Sequence, residues 1–238
     1  LGPVGPFDTA ALLLCISLML ITAFWDENYG DQSVEMNASF AAAVRCIVGA
    51  PRILLLGVSQ SLFESAMYIF VFMWTPALGS STLEHGLVFA CFMVCTMIGS
   101  TIFSTMIDKQ IPVERFAPYI FSVASCALLV PAFFTHFSIR LFSFFVFEVC
   151  CGLYWPSFGT MRGKYIPDEI RSTIMNLFRL PLNFIVVCTL LFLDRLSQNT
   201  VWLFCSAMLA TASIIQAQLK SDMFNHNDFI PLKRDASL

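Results

Sequence analysis

Residues 53–77 read ILLLGVSQSLFESAMYIFVFMWTPA, and Glu64 is the one charged side chain in this run. A membrane-spanning α-helix needs about 20 consecutive, mostly apolar residues, so the run predicts such a helix. Gln60 and Tyr68 stand four residues before and after Glu64, which places an amide, a carboxyl and a phenol on one face. Because a charge near the bilayer centre costs about 2.5–3.5 kcal/mol, this polar face needs a structural or functional reason.

Six further runs of similar length and polarity lie on either side of this one. They cover residues 7–25, 86–107, 116–134, 139–160, 173–193 and 199–219. Most of the connections between them are short, which makes consecutive helices antiparallel neighbours. The sequence therefore predicts an all-α membrane protein with seven spans.

Composition supports this fold class and excludes several others. Of the 238 residues, 58% are apolar and 12% are charged, whereas charged residues make up about 25% of a soluble domain. The net charge of −3, without a long basic run, excludes a nucleic-acid partner and leaves membrane lipid as the expected surroundings. Eight of the nine cysteines lie in the apolar runs, and we interpret them as small buried hydrophobic residues.

No sequence pattern typical of an enzyme occurs in the chain. HExxH, GxSxG, P-loop and CxxC motifs are all absent. We therefore expect no catalytic residues, no resident metal and no cofactor.

The long connection at residues 26–52 differs from the other loops. It is acidic at its start and then consists mostly of small and apolar residues at 41–50. A short helix on the membrane surface is one interpretation. A solvated linker is the interpretation that we favour.

Basic residues flanking the spans predict the orientation in the membrane. Lys and Arg collect on the cytoplasmic side of membrane proteins. Of the 13 basic residues, ten fall on one predicted side, two on the other and Arg179 within a span. The ten are Arg45, Arg52, Lys109, Arg115, Arg162, Lys164, Arg171, Lys220, Lys233 and Arg234, and the two are Arg140 and Arg195. Residues 26–52, 161–172 and the tail are therefore expected in the cytoplasm, where the Asn37 sequon would stay unglycosylated.

Two more charged side chains lie deep within predicted spans, Glu148 and Arg179. Asn176, Arg179 and Asn183 follow i, i+3, i+7 spacing and form a second polar stripe, with Pro181 beside it. Spans at 116–134 and 199–219 have no charge in their middles and are expected to act as supports. The other four spans of the C-terminal six are expected to line a polar cavity.

These polar residues allow structural as well as functional interpretations. Glu148 and Arg179 could neutralise each other, although their depths differ by roughly 9 Å at about 1.5 Å per residue, so a solvated cavity is an equal alternative. Glu64 has no obvious cationic partner. The Asn and Gln side chains could bond between helices. Functionally, the planar donor fork of Arg179 suits an oxyanion, and a desolvated Glu64 or Glu148 suits proton coupling.

The arrangement of spans resembles the major facilitator superfamily from the last helix of its N-terminal half to its end. The long loop divides the spans into one plus six, and the six split into two triplets that each begin with a Glu-bearing span. The resemblance assigns residues 1–25 to the last N-terminal helix, 26–52 to the central loop, 53–219 to the C-terminal six-helix bundle and 220–238 to a cytoplasmic tail. It implies that the N-terminal six-helix half is missing from this chain and that this chain alone does not transport.

Longer strings resemble the eukaryotic molybdate-anion transporter family. They are WDENYG at 25–30, QSLFE at 60–64, FVFMWTPAL at 70–78, CGLYWP at 151–156 and RSTIMNLFRLPLN at 171–183. The resemblance implies uptake of molybdate, a tetrahedral oxyanion, across the cell membrane.

Three hypotheses follow. In the first, Arg179, Asn176, Asn183, Gln60 and Tyr68 contact an oxyanion, while Glu64 or Glu148 carries a proton. In the second, the cargo is another anion or a small organic solute. In the third, the protein is a membrane sensor or scaffold without transport activity.

Overall fold

The computed structural model describes residues 4–26, 36–79 and 85–225, and these ranges contain helices and turns but no strand. The helices are α1 (Gly5–Phe24), α2 (Met36–Gly49), α3 (Pro51–Leu78), α4 (His85–Asp108), α5 (Val113–Phe133), α6 (Phe137–Tyr165), α7 (Arg171–Leu191) and α8 (Gln198–Asn225). Short 3-10 turns at Asp168–Ile170 and Leu193–Arg195 flank α7.

Seven of these helices, all except α2, are long and apolar enough to cross a membrane. The predicted all-α class with seven spans is therefore confirmed, and the chain is a multi-pass membrane protein. Two helices extend beyond their predicted spans, since α6 continues to Tyr165 and α8 to Asn225. Beyond the predicted end of this span at residue 160, the next proline is Pro167, which lies after the last helical residue. No proline therefore ends α6 earlier. The expected tail from residue 226 onward lies outside the described residues.

The interpretation of residues 26–52 as a solvated linker is wrong for its second half. Residues 36–49 form α2, and the middle of this helix is rich in alanine. Alanine has the highest helix propensity of any residue type. Ala43 is fully buried in the hydrophobic core. Ala50 then breaks the helix, and Pro51 begins α3 at the first helical position, where its missing N–H costs nothing. Residues 27–35 lie outside the described part of the chain.

The chain divides into two compact units, residues 1–38 and 39–238. In the first unit, α1 satisfies its own polar side chains. The hydroxyls of Thr9, Ser17 and Thr22 each donate to a backbone carbonyl one turn earlier in the helix. Such internal bonds let an apolar helix carry hydroxyl groups through lipid.

In the second unit, α3 lies at the centre and packs against α6, α7 and α8. Aromatic rings fill the space between these helices. Phe63 of α3 stacks on Tyr154 of α6 with ring centroids 4.1 Å apart, and Phe70 meets Phe147 at 4.8 Å. Offset and edge contacts of this kind fix ring positions as well as burying apolar surface. The core therefore holds α3 and α6 in a defined register.

Helices α5 and α8 form a second pair, joined by serines. Ser125 and Ser206 each donate to the other's backbone carbonyl at 2.9 Å, and Ser213 donates to the Pro118 carbonyl at 2.8 Å. Small residues let the two backbones approach closely, and their hydroxyls bond across the gap. The outer surfaces of this pair carry exposed Tyr119, Val123, Phe204 and Ile214.

The interpretation of the cysteines as small buried hydrophobic residues is confirmed for only some of them. Cys150, Cys151 and Cys205 are buried, whereas Cys15, Cys91 and Cys126 are exposed. The physical reason is that an apolar helix in a membrane presents a thiol to lipid without penalty, so membership of an apolar run does not determine burial.

Candidate functional site

Glu64 lies at the centre of the most polar part of the bundle interior. Its side chain is 7% exposed, on a stretch of α3 that is buried on most sides. The Tyr154 hydroxyl of α6 donates a hydrogen bond to Glu64 Oε1 at 2.8 Å. Because Tyr154 is fully buried and its ring stacks on Phe63, this donor has little freedom to leave the carboxylate.

Two arginines lie on the helices that pack against α3, although the structure forms no ion pair between either of them and Glu64. Arg162 lies on α6 and Arg179 on α7. Sequence reasoning placed Arg162 in the loop after the fifth span, whereas α6 continues through this residue to Tyr165.

The predicted stripe on α7 forms one exposed surface. Asn176, Arg179 and Asn183 are all exposed, and Arg179 Nη1 lies 3.5 Å from Asn176 Oδ1. Arg179 therefore keeps most of its donors unused within the described residues. These three side chains can offer guanidinium and amide donors to a ligand that approaches α7 from outside this bundle.

Backbone contacts hold α7 against α3 and fix the height of that stripe. Ser61 Oγ donates to the Phe178 carbonyl at 2.9 Å, and Ser65 Oγ lies 3.4 Å from the Leu182 carbonyl. Gly57 faces the Phe178 ring so closely that an added Cβ would lie 2.1 Å from it. An alanine at this position would therefore force the Phe178 ring to move where α7 crosses α3.

The three polar residues predicted on one face of α3 have different surroundings. Gln60 is 2% exposed, whereas Tyr68 is 47% exposed on the outer surface of α3. An α-helix has about 3.6 residues per turn, so a step of four residues rotates a side chain by about 40° more than a full turn. Positions 60 and 68 are two such steps apart and therefore differ by about 80° around the helix axis. The structure brings Gln60 together with Glu64, and it leaves Tyr68 toward the surface.

Glu148 belongs to another contact. Its Oε2 accepts a hydrogen bond from Thr96 Oγ1 at 3.1 Å, which ties α6 to α4. No ion pair joins Glu148 to Arg179 in the described part of the chain. The sequence left two interpretations of Glu148 and Arg179 open, a direct ion pair and a solvated cavity. The structure does not form the ion pair.

A further acidic residue escaped sequence reasoning because it lies at a helix end. Glu114, at the start of α5, is 3% exposed and accepts hydrogen bonds from Lys164 Nζ and Tyr165 Oη, both at 2.6 Å. Arg171 pairs with Asp168 and donates to the Ile166 carbonyl at 2.9 Å. These bonds fasten the turn that connects α6 to α7.

Metal binding finds no support among the described residues, where no group of three His, Cys, Asp or Glu side chains could hold an ion. The polar groups beside Glu64 are instead the Tyr154 hydroxyl and the Gln60 side chain one turn earlier on α3. The exposed stripe on α7 adds guanidinium and amide donors, which can bind an anion through hydrogen bonds and positive charge.

Comparison with known proteins identifies relatives of this chain. The molybdate-anion transporter of Xenopus laevis is 34% identical over 200 residues, which cover 81% of this chain and 44% of that protein. The molybdate-anion transporter of Danio rerio is 31% identical over 229 residues, which cover 80% of this chain and 46% of that protein. The chain thus spans less than half the length of these relatives. No solved structure matches it.

A family model also matches more than half of the chain. Residues 1–144 fit the major facilitator family described as sugar transporters with 12 transmembrane segments. The relatives are named as transporters, and neither comparison points to an enzyme. The chain therefore belongs to this family of twelve-helix transporters of the major facilitator superfamily.

Proposed function

We propose that this protein is a secondary transporter that takes up molybdate, or a closely related oxyanion, across the cell membrane. The observation that carries the proposal is the exposed row of Asn176, Arg179 and Asn183 on α7, whose guanidinium and amide donors are open to a ligand. Two relatives that cover most of this chain are named molybdate-anion transporters, which supports the choice of cargo.

In this proposal Arg179, Asn176 and Asn183 contact the oxyanion directly. A guanidinium presents a rigid fork of N–H donors that matches a pair of oxygen atoms, and two amides add donors on the same helix face. Gln60 and Tyr68 complete the lining on α3. Glu64 carries the coupling proton, because it is buried and accepts a hydrogen bond from Tyr154, and Glu148 has a structural role in the α4–α6 contact.

We further propose that a six-helix N-terminal half packs against the exposed polar surface of this bundle. The length of the relatives, of which this chain covers less than half, supports that view. Residues 1–25 then end the N-terminal half, 26–52 connect the halves, 53–219 form the C-terminal bundle and 220–238 the tail. The excess of Lys and Arg at one end of the spans favours a cytoplasmic location for the central loop and the tail.

Replacing Arg179 by lysine tests the binding role. The charge stays but the fork is lost, and a charge-assisted hydrogen bond contributes about 1.5–3 kcal/mol. We therefore expect molybdate uptake by cells expressing the Arg179→Lys transporter to require about ten- to a hundredfold more substrate. Arg115→Lys, at an exposed position on α5, is the matched control. Unchanged uptake by Arg179→Lys at equal surface expression would contradict the assignment.

Competition experiments test the cargo, because the matching family is described as sugar transporters. An anion site should be inhibited by tungstate and sulfate, which are tetrahedral dianions like molybdate, and not by a neutral hexose. The measurement is uptake of radiolabelled molybdate with each competitor in excess. Inhibition by the hexose alone would replace the oxyanion proposal by the organic-solute alternative.

A further inference from the structure

The hydroxyl group of Tyr154 makes a direct contact with the Glu64 carboxyl group. It donates from α6 to Glu64 Oε1 on α3 at 2.8 Å. Tyr154 is fully buried, whereas 7% of Glu64 remains exposed. A buried hydroxyl needs a hydrogen-bond partner, and within the described ranges Glu64 is the partner that this hydroxyl has. The two side chains therefore form one buried polar pair.

Aromatic neighbours fix the direction in which the Tyr154 hydroxyl points. The Tyr154 ring stacks on Phe63 of α3, with ring centroids 4.1 Å apart and an angle of 10° between the planes. Phe158 of α6 lies 4.5 Å away, and Phe121 of α5 makes an edge contact at 6.1 Å. Because these rings come from three helices, rotation of the phenol would disturb a close-packed core. The donor is therefore preorganised toward Glu64.

A fixed donor affects the two protonation states of Glu64 differently. Hydrogen bonds to an ionised acceptor are roughly twice as strong as bonds between neutral groups. The bond from Tyr154 therefore stabilises the carboxylate more than the carboxylic acid, and it opposes the uptake of a proton. Since this bond occupies Oε1, an incoming proton from the aqueous phase forms its O–H bond at Oε2.

Gln60 supplies an acceptor for that O–H group. Its Oε1 is buried and has no hydrogen-bond partner. Gln60 stands four residues before Glu64 on α3, and side chains at this spacing are neighbours, with about 5–6 Å between their Cβ atoms. A carboxylate has no proton to donate, whereas a protonated Glu64 can donate to an amide oxygen. Each protonation state of Glu64 therefore has its own partner.

The remaining groups on the helices packed against α3 form no ion pair with this carboxyl group. Helix α6 carries Arg162 and α7 carries Arg179, and among the described residues neither is paired with Glu64. On α8, the neutral Gln216 donates to Ser59 at 2.6 Å. The bond from Tyr154 is thus the direct contact through which a neighbouring helix acts on Glu64.

We propose that Tyr154 is a positioning residue of the transporter, which holds the Glu64 carboxyl group in place and sets the pH at which it takes up a proton. This inference rests on the proposed role of Glu64 as the carrier of the coupling proton. Because Tyr154 is fully buried, it acts through Glu64 and does not touch the oxyanion.

Infrared titration of the purified transporter tests this role directly. A protonated carboxyl group has a C=O stretching band that a carboxylate lacks, and the band of Glu64 is the one that disappears in Glu64→Gln. Tyr154→Phe removes the donor and keeps the ring, so the carboxylate loses more stabilisation than the acid does. The midpoint of the band should therefore move by about one pH unit to higher pH.

Tyr68→Phe is the matched control for this titration. Tyr68 lies one turn after Glu64 on α3 but is 47% exposed, so loss of its hydroxyl should leave the midpoint unchanged. A midpoint in Tyr154→Phe equal to that of the wild type would overturn the inference. An equal shift in Tyr68→Phe would also overturn it, because the effect would then not depend on the bond to Glu64.

A single fluorine on the phenol changes the same bond in the opposite direction. 3-Fluorotyrosine incorporated at position 154 is a stronger hydrogen-bond donor with nearly the same shape as tyrosine. The midpoint of the Glu64 band should therefore move to lower pH. This replacement decides the question even where Tyr154→Phe does not fold, and a shift to higher pH would contradict the inference.

Uptake measurements separate this inference from the proposed function. The pH dependence of molybdate uptake by cells expressing Tyr154→Phe should move in the same direction as the infrared band. If the band moves but the pH dependence of uptake does not, the role of Tyr154 is supported and the role of Glu64 as the proton carrier is refuted. Absence of molybdate uptake by the wild type would refute the proposed transport, while the infrared midpoints would still decide the role of Tyr154.

Discussion

Single atoms determine how closely α4 and α6 approach each other. A Cβ added to Gly152 would lie 2.0 Å from the Thr96 carbonyl oxygen, and one added to Gly99 would lie 2.1 Å from that of Val149. Thr96 also donates its hydroxyl to Glu148. The glycines bring the two backbones together, and the Thr96 bond then gives a hydrogen-bond partner to the half-buried carboxyl group of Glu148.

Gly152→Ala tests this close contact. We expect it to destabilise the protein by about 1–3 kcal/mol, because a backbone carbonyl cannot move aside as a side chain can. Gly159→Ala on the same helix is the matched control, since nothing lies within 4 Å of its added Cβ, and there alanine should be neutral or stabilising by up to about 1 kcal/mol. The measurement is thermal unfolding in detergent. A Tm for Gly152→Ala equal to that of the control would contradict the tight contact.

Arg140 shows how one residue can connect several helix ends. The sequence suggested a charge flanking a span, yet the side chain is 7% exposed. It donates to the carbonyls of Ala77 at 2.8 Å, Phe134 at 2.7 Å and Pro131 at 3.3 Å. The last carbonyls of a helix lack partners within it, so one guanidinium satisfies groups at the ends of both α3 and α5.

At the scale of helices, hydroxyl groups decide which elements pair. Ser61 and Ser65 bond α3 to α7, while Ser125 and Ser206 bond α5 to α8. Apolar packing alone distinguishes poorly between neighbours in lipid, because lipid tails are as apolar as leucine. In the proposed function these α3–α7 bonds hold Arg179 in position, because they fix the height of α7 against α3.

Removing both α3–α7 hydroxyls by Ser61→Ala and Ser65→Ala should loosen that contact. Interhelical hydrogen bonds contribute about 0.6 kcal/mol each on average, so the double variant should lose about 1 kcal/mol of stability. Because α7 carries Arg179, molybdate binding should weaken in parallel. The control is Ser104→Ala, whose hydroxyl bonds only within its own helix. Unfolding and binding measurements that match this control would contradict a positioning role for the two serines.

Spans could be predicted from sequence because each satisfies a local rule of length and polarity. The contacts between spans could not be predicted in this way. The sequence pattern places Gln60 and Tyr68 on one face of α3. The two positions are nevertheless about 80° apart around the helix axis, so Gln60 lies in the interior and Tyr68 on the outer surface. Arg162 was hidden by a helix that continued five residues beyond its apolar run, and Tyr154 gave no signal because its partner lies on another helix. Contacts distant in sequence require the fold itself.

Across the whole molecule, charge is confined to few places, and large apolar side chains cover much of the exposed helix surface. This distribution is that of a protein solvated by lipid. The few charged groups in the interior then act on each other over longer distances than they would in water. The scarcity of charge therefore makes Glu64, Glu148 and Arg179 the residues to test in the proposed function.

Basic residues at one end of the helices predict the orientation of the entire bundle in the membrane. An epitope tag inserted at Gln110, in the turn between α4 and α5, should be stained only after cells are permeabilised, because this turn adjoins Lys109 and Arg115 and is therefore predicted to be cytoplasmic. A tag inserted between Gly79 and His85 should be stained in intact cells, since one helix separates the two positions. The Asn37 sequon should carry no glycan. Staining of the Gln110 tag in intact cells, or a glycosidase-sensitive shift in mass, would contradict the predicted orientation.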